Sequence, residues 1–157
     1  MSWWPCAAGV QLLAQINQRF PNRDKSSDGA IGDVAHSGRT SDHNPAPSFA
    51  GEHGSRLDPS TPPGCVRARD IDEDFTGPDD PLANRLLAEM IASNDPRFRY
   101  FIFEGLIYSR TGSAYFRQLP YNGPNAHEHH IHISFSRLGD HDGTPFNLPS
   151  LSVKEEA

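Results

Sequence analysis

One stretch decides how this chain folds: His127-Glu128-His129-His130-Ile131-His132-Ile133-Ser134-Phe135. Four of its first six residues are histidine, in a chain of 157 residues that holds 8 histidines. Because side chains alternate between the two faces of a β-strand, His130, His132 and Ser134 share one face, opposite to the isoleucines and the phenylalanine. The pattern predicts a strand over residues 129–135 that anchors its apolar face in the core and presents two imidazoles on the other.

Neighbouring imidazoles on one strand face are suited to binding a metal ion. Zinc in a catalytic site typically takes three protein ligands from His, Asp and Glu and leaves a fourth position for water. The best donors elsewhere are His43, within Ser41-Asp42-His43-Asn44-Pro45, and Asp70, within Arg69-Asp70-Ile71-Asp72. A short strand over Val66–Asp72 puts Asp70 and Asp72 on the same face, so the residues alone allow either carboxylate to be the third ligand.

The rest of the chain predicts a mixed architecture. Apolar residues recur at helical spacing from Gly9 to Phe20 and again after Asp79-Asp80-Pro81, and the apolar runs 99–103 and 106–109 predict a hairpin. We therefore expect an α+β domain in which a small antiparallel sheet carries the zinc site, flanked by helices and long loops. Residues 1–137 form this domain, and residues 138–157 form a C-terminal tail or linker.

Composition and charge disfavour several classes of protein. The formal net charge is −6, from 14 Lys+Arg and 20 Asp+Glu, and no basic block is present, which disfavours nucleic-acid binding. No stretch approaches the roughly 20 apolar residues of a transmembrane helix, and the opening residues lack a secretory signal pattern. We expect a monomer that is made in the cytoplasm and does not insert into membranes, with Cys6 and Cys65 as buried free thiols.

One long segment lacks a regular pattern. Residues Asn44–Gly64 contain five prolines in a polar run, and irregular segments of this length inside a compact domain are usually functional or mobile. The segment leaves from one candidate ligand, His43, and returns just before the strand that bears Asp70. We expect it to be mobile and to border a substrate cleft.

Three blocks of the sequence resemble a known family. Ser41-Asp42-His43, Ala68-Arg69-Asp70-Ile71 and the stretch from His127 to His132 are similar to the LAS metallopeptidases. That group includes lysostaphin, D-alanyl-D-alanine peptidases and the zinc-bearing domain of hedgehog proteins. Together with residues 29–45 and 121–127, the blocks most resemble the peptidase domains of actinobacteriophage endolysins. The resemblance implies a zinc-dependent hydrolase that cuts an amide bond in the peptide stem or cross-link of bacterial peptidoglycan, after release or delivery to the cell wall.

The resemblance also implies which residues bind the metal, and residue chemistry adds two candidates beside them, Asp72 and Arg39. One Zn²⁺ is held by His43, Asp70 and His132, and Asp72 becomes a carboxylate that orients a ligand imidazole. Arg39 is the candidate to pair with a carboxylate of the peptide stem, for which its planar fork is suited. The chain departs from the family in the gap between the first His and the Asp ligand, which is longer here because the proline-rich segment lies between them.

Catalytic roles fall to the remaining histidines of the cluster. Many D-alanyl-D-alanine peptidases carry Glu three residues before the last ligand, where this chain has His129. The spacing His127-x-x-His130-x-His132 instead resembles the penicillin-insensitive murein endopeptidases. We expect His130 to act as the general base or to stabilise the oxyanion, with His127 as its helper, and Glu128 is the rival base.

Two other classes of protein fit part of this pattern. A His-hydrophobic-His strand also occurs in enzymes that nick single-stranded DNA with a nucleophilic tyrosine, but the acidic balance and the additional His and Asp blocks disfavour DNA. The second alternative is a zinc site kept for binding a partner, without catalysis. The extra histidines around the candidate ligands favour catalysis over this alternative.

Overall fold

A small antiparallel sheet organises the molecule, as the sequence predicted. The computed structural model describes residues 3–30, 43, 62–76, 81–110, 116–121 and 129–152. In chain order its elements are β1 (Trp4–Pro5), α1 (Ala7–Arg19), β2 (Cys65–Val66), β3 (Ala68–Asp72), α2 (Leu82–Ser93), β4 (Phe98–Phe103), β5 (Leu106–Arg110), β6 (Phe116–Pro120) and β7 (His130–Phe135). Five strands form the main sheet, in the order β3-β7-β4-β5-β6, and β1 pairs with β2 in a separate parallel pair. The α+β class is therefore confirmed.

The alternation in β7 gives the sheet two different faces. Ile131 and Ile133 are fully buried in the main core, together with Phe135 at the end of the strand. The opposite face of β7 carries His130, His132 and Ser134, and its neighbours across the strands are Asp72, Asp70 and Ala68 of β3. The sheet thus separates an apolar core from a polar face, as predicted from the alternation.

Two amphipathic helices contribute to the core. Helix α1 buries Leu12 and Ile16, and α2 buries Leu86, Leu87 and Met90, at the three- and four-residue spacing of a helical stripe. Helix α2 ends at Asn94, which adopts the left-handed conformation with φ 51°. Neither helix of the described part of the chain is long and apolar enough to cross a membrane.

The hairpin between β4 and β5 follows from its turn residues. Glu104 and Gly105 have φ values of 50° and 75°, and they connect the paired residues Phe103 and Leu106. Two consecutive residues with positive φ are the signature of a two-residue type I′ turn, whose twist matches that of the flanking strands. The hairpin was predicted, whereas β6, which extends it, was not.

Residues after Arg137 pack onto the rest of the chain. Phe146, Leu148 and Leu151 belong to the main core. The guanidinium of Arg97 donates to the Thr144 carbonyl at 2.5 Å and lies 3.8 Å from the centroid of the Phe146 ring. Because Arg97 directly precedes β4, these contacts hold residues 144–146 against the sheet. The division of the chain at residue 137 stays a prediction, but residues 138–152 contribute directly to the core.

The predicted strand over Val66–Asp72 is in fact two strands that break at Arg67. The buried guanidinium of Arg67 donates from Nε and Nη2 to the two carboxylate oxygens of Asp140, at 2.7 and 2.6 Å. The Cys65 thiol also contacts this carboxylate, at 3.6 Å. Cys65 and Cys6 are both free and buried, as predicted, and burial raises the pKa of the Cys6 thiol to about 11.

The Arg67–Asp140 pair gives a stability prediction. Its side chains are only 4% and 7% exposed, so removing one partner leaves the other charge buried and unpaired. We expect Asp140→Ala to lower the free energy of unfolding by about 3–5 kcal/mol in urea denaturation. The double variant Arg67→Met with Asp140→Leu should recover much of that loss, because it removes both charges. Equal stability of Asp140→Ala and the unchanged protein would contradict this assignment.

Candidate metal centre

Three side chains converge on the polar face of the sheet: His43, Asp70 and His132. The His43 Nε2 atom lies 3.0 Å from His132 Nδ1. The Asp70 Oδ1 atom lies 3.2 Å from each of these nitrogens. The three atoms therefore form a nearly equilateral triangle. Among the described residues, these three side chains form a group that could hold a metal ion.

Strand pairing brings Asp70 and His132 together. The two residues are direct partners in the antiparallel register of β3 and β7, so their side chains project from the same face at the same level. The ring of Tyr100, on β4, stacks on the His132 ring with 5.5 Å between centroids and 19° between planes. The pairing of β3 with β7 thus places two of the three candidate ligands side by side.

A short backbone segment beside β3 fixes the third. Gly29 and Asp70 exchange two backbone hydrogen bonds, with Asp70 N–H donating at 2.7 Å and Gly29 N–H donating at 3.1 Å. The next residue, Ala30, accepts a hydrogen bond from His43 Nδ1 at 2.6 Å. The segment that is bonded to the backbone of Asp70 therefore also anchors the imidazole of His43 beside the Asp70 carboxylate.

Each imidazole makes a hydrogen bond on the side away from the triangle, and this bond determines which ring nitrogen faces the other two ligands. A carbonyl oxygen only accepts, so His43 carries its proton on Nδ1 and turns the lone pair of Nε2 inward. His132 has the opposite arrangement, because its Nε2 lies 2.8 Å from Ser134 Oγ and its Nδ1 faces inward. Imidazoles that bind metals are held through the other ring nitrogen in this way.

The electrostatics of Asp70 also fit a cation. Its Oδ1 atom is buried and has no hydrogen-bond partner in the described structure, although two imidazole nitrogens lie 3.2 Å away. Burial by itself would raise the pKa of the Asp70 carboxyl, but when no metal is bound His132 and His43 act on it as proton donors, outweigh burial and hold that pKa well below its usual range. An ionised carboxylate oxygen and two imidazole nitrogens therefore meet at one point.

The spacing matches the face of a zinc tetrahedron. Ligand atoms that lie about 2.0–2.1 Å from a tetrahedral zinc ion are about 3.3 Å from one another. The separations in this site, 3.0 Å and twice 3.2 Å, are close to that edge length. The residues present thus fit zinc in number, in donor type and in spacing.

His130 lies at the edge of this group. Its Nε2 is 3.6 Å from Asp70 Oδ2, so it faces the carboxylate oxygen that does not belong to the triangle. Its side chain is 15% exposed, whereas that of His132 is fully buried. Burial lowers the pKa of His130 despite the nearby Asp70 carboxylate, which favours a neutral imidazole. His130 is therefore placed next to the three candidate ligands but apart from them.

Asp72 is held by different partners. Its Oδ2 accepts hydrogen bonds from the amide and the hydroxyl of Ser27, at 3.1 and 2.7 Å, and its Oδ1 accepts from the Asp74 amide at 2.9 Å. Asp70 is the carboxylate that lies beside both His43 and His132. The geometry favours Asp70 as the ligand, and an orienting role for Asp72 toward an imidazole stays a prediction.

Several predicted site residues fall outside the described part of the chain. They are Arg39, His127, Glu128 and residues 44–61 of the proline-rich segment. Sequence reasoning missed two anchors of the site, the Ala30 carbonyl and the Ser134 hydroxyl. The alternation of β7 placed Ser134 on the histidine face, which was a usable signal. Nothing in the residue type of Ala30 marks its carbonyl, because every residue carries one.

A separate cavity of about 530 Å³ lies between the C-terminal end of α1, the N-terminal end of α2 and a 3-10 helix at Pro149–Leu151. Its lining includes Arg19, Phe20, Leu82 and Arg85 and contains neither histidine nor an acidic residue. The cavity therefore lacks metal ligands, and the chemistry of the described residues is concentrated at the polar face of the sheet.

No family model, curated protein or solved structure matches this chain. The resemblance to the LAS metallopeptidases therefore rests on the three motif blocks alone. The structure places one residue from each block, His43, Asp70 and His132, within 3.2 Å of the other two.

The geometry predicts the metal content of substituted proteins. We expect one zinc ion per chain, and we expect His43→Ala, Asp70→Ala and His132→Ala each to abolish its retention, because each removes one of only three protein ligands. Elemental analysis after gel filtration measures the zinc content. Asp72→Ala is the matched control and should keep zinc. Loss of zinc in Asp72→Ala together with full zinc in Asp70→Ala would reverse the choice of aspartate.

Proposed function

We propose that this chain is a zinc-dependent peptidase that hydrolyses an amide bond in the peptide stem or cross-link of bacterial peptidoglycan. The observation that carries the proposal is the triangle of two imidazole nitrogens and one carboxylate oxygen, with both imidazoles held from behind by other groups. Three protein ligands of this kind, with one coordination position left over, are typical of catalytic rather than structural zinc sites.

The accessibility of the site supports a catalytic role. The side chains of His132 and His43 are 0% and 3% exposed, whereas those of Asp70 and His130 are 18% and 15% exposed. The two imidazole ligands are therefore buried, whereas Asp70 and the adjacent His130 are partly open to solvent, from which a substrate can approach.

The donor set also suits hydrolysis. Two neutral imidazoles and one carboxylate contribute a single negative charge, so a divalent ion held by them keeps a net positive charge. When bound, zinc supplies Lewis acidity toward a carbonyl oxygen and lowers the pKa of a water molecule. The protein residues hold the donors rigidly in place, because two come from paired strands and the third is anchored to the Ala30 carbonyl.

His130 is the proposed proton acceptor. The His130 Nε2 atom lies 3.6 Å from Asp70 Oδ2, next to the candidate ligands. A neutral imidazole in this place can take a proton from the attacking water and return it to the leaving amine. A protonated His130 would then stabilise negative charge on the former carbonyl oxygen. His127 as a helper of His130, Glu128 as a rival base and Arg39 as a carboxylate-binding residue complete the proposal, and all three stay predictions from the sequence.

Peptidoglycan is proposed as the substrate on the strength of the three motif blocks. The acidic net charge of −6 agrees with a substrate other than nucleic acid. The direct test is incubation of the purified protein with insoluble murein, with and without a chelator, followed by mass spectrometry of the soluble products. New amino and carboxyl termini would identify the bond that is cut.

The same experiment separates the alternatives. A binding module would retain zinc and release no peptides from murein. An enzyme that nicks single-stranded DNA would release no peptides either, but would form a covalent tyrosine adduct with a labelled oligonucleotide. Chelator-sensitive release of peptides with new termini supports the proposed peptidase and excludes both alternatives.

His130 allows ligand and catalyst to be separated within the histidine cluster. Because it lies outside the triangle, His130→Ala should keep nearly stoichiometric zinc while turnover on murein falls by about 10²–10⁴-fold, the range for loss of a general acid or base. His129→Ala is the control, since that side chain is 85% exposed and its described ion pair is with Glu73, at 3.9 Å. It should retain both zinc and turnover.

Two results would overturn the role of His130. If His130→Ala loses zinc as completely as His132→Ala, then His130 is a ligand and another group acts as the base. If His130→Ala keeps both zinc and full activity, its imidazole takes no part in proton transfer.

A further inference from the structure

The polar face of β7 holds a buried hydroxyl for which the proposed mechanism has no use. Ser134 is fully buried, and its neighbours across the strands are Ala68 of β3 and Tyr100 of β4. Its Oγ lies 2.8 Å from His132 Nε2, and His132 is also fully buried. The hydroxyl is therefore directly behind a candidate metal ligand, on the side away from His43 and Asp70.

The orientation of the His132 ring depends on this contact. A histidine ring has two nitrogens, and a ring flip or a change of tautomer exchanges which of them presents a lone pair to a given direction. In the observed orientation Nδ1 lies 3.0 Å from His43 Nε2 and 3.2 Å from Asp70 Oδ1. The stacked Tyr100 ring limits tilting of the imidazole but makes no distinction between its two nitrogens.

We propose that Ser134 is a positioning residue for metal binding: its hydroxyl accepts the Nε2 proton of His132 and so keeps Nδ1 unprotonated and directed at the ion. The proposal rests on the metal site of the proposed function, although not on the identity of the substrate. Ser134 does not contact the triangle of donor atoms and acts only through His132.

The two imidazoles of the site are thus held by unlike groups. His43 is held by the Ala30 carbonyl. This carbonyl belongs to the main chain, so it can accept the hydrogen bond regardless of which side chain stands at position 30. His132 is held by a side-chain hydroxyl, which a single substitution removes. A hydroxyl can also donate a hydrogen bond, so the position of the His132 proton shows whether Ser134 acts as the acceptor.

The test compares three variants. Ser134→Ala deletes the hydroxyl without adding bulk, Ser134→Thr keeps it, and Ser109→Ala is the matched control, because Ser109 is the neighbour of Tyr100 on β5. Zinc affinity is measured by competition with a chromophoric chelator at constant pH. We expect Ser134→Ala to weaken zinc binding by about 10–100-fold, the usual effect of removing a group that orients a metal ligand. Ser134→Thr should restore most of the affinity, and Ser109→Ala should match the unchanged protein.

Nitrogen-15 NMR of the imidazole rings gives a second readout that does not depend on activity. In the zinc-loaded protein we expect His132 to carry its proton on Nε2 and His43 to carry it on Nδ1. In metal-free Ser134→Ala, His132 should show a changed tautomer mixture, while the backbone spectrum stays that of the unchanged protein. If Ser134→Ala does not fold, the metal-free spectrum of the unchanged protein decides, because zinc does not yet impose the position of the proton: a proton on His132 Nε2 supports the role of Ser134, and a proton on Nδ1 alone overturns it.

The outcomes separate this proposal from the proposed function. Zinc binding without release of peptides from murein would overturn the peptidase but leave the role of Ser134 intact. Unchanged zinc affinity in Ser134→Ala would overturn the role of Ser134 alone. A proton on His132 Nδ1 in the loaded protein would overturn the role of Ser134 together with the assignment of Nδ1 as a ligand atom. Failure of the unchanged protein to bind zinc would overturn both.

Discussion

The antiparallel pairing of β3 with β7 is the constraint on which the rest of the site depends. It places Asp70 opposite His132, with their side chains on the same face, and it places the isoleucines of both strands on the core face. Because side chains alternate, a slip of one residue in this register would turn Asp70 away from His132 and expose the apolar set. The buried isoleucines therefore fix the geometry of the candidate metal centre as well as the stability of the sheet.

Polar contacts beyond the strand pairing orient the candidate ligands toward one another. The backbone of Gly29 bonds to that of Asp70, the Ala30 carbonyl fixes the His43 ring, and the Ser134 hydroxyl fixes the His132 ring. Each contact satisfies a buried polar atom that would otherwise cost free energy. The donor atoms left over are the three that face one another, and a cation bound among them offsets their mutual repulsion.

Local patterns in the sequence predicted the parts of the fold that depend on local chemistry. The alternation around His132, the helical spacing around Ile16 and the turn at Glu104-Gly105 each belong to one short segment, and the structure contains all three. Pairings between distant segments were not predicted, because they produce no pattern within a short stretch of sequence. Strands β1 and β2 have only two residues each, and the residue at the break, Arg67, pairs with Asp140, more than seventy residues away.

The candidate site was also predicted in part from sequence patterns, and in part it required the tertiary structure. His132 and Asp70 were predicted from strand alternation and from the motif blocks, and the structure brings both to His43. The choice between Asp70 and Asp72 needed more than the sequence pattern, because both residues project from the same face of β3. The structure separates the two carboxylates, because Asp70 lies 3.2 Å from both imidazole nitrogens whereas Asp72 accepts hydrogen bonds from Ser27.

The segment that anchors His43 has an effect on the outer edge of the sheet. Asp70 N–H is bonded to the Gly29 carbonyl and Asp72 N–H to the Asp28 carboxylate, so donors of edge strand β3 that face away from β7 are already used within the chain. The opposite edge strand, β6, instead carries the exposed charge of Arg117 and ends at Pro120, which has no N–H to offer. In the described sheet, one edge is thus covered by the Gly29 backbone and the Asp28 side chain, and the other is protected by its composition. Both features oppose the addition of foreign strands and the growth of the sheet into an aggregate.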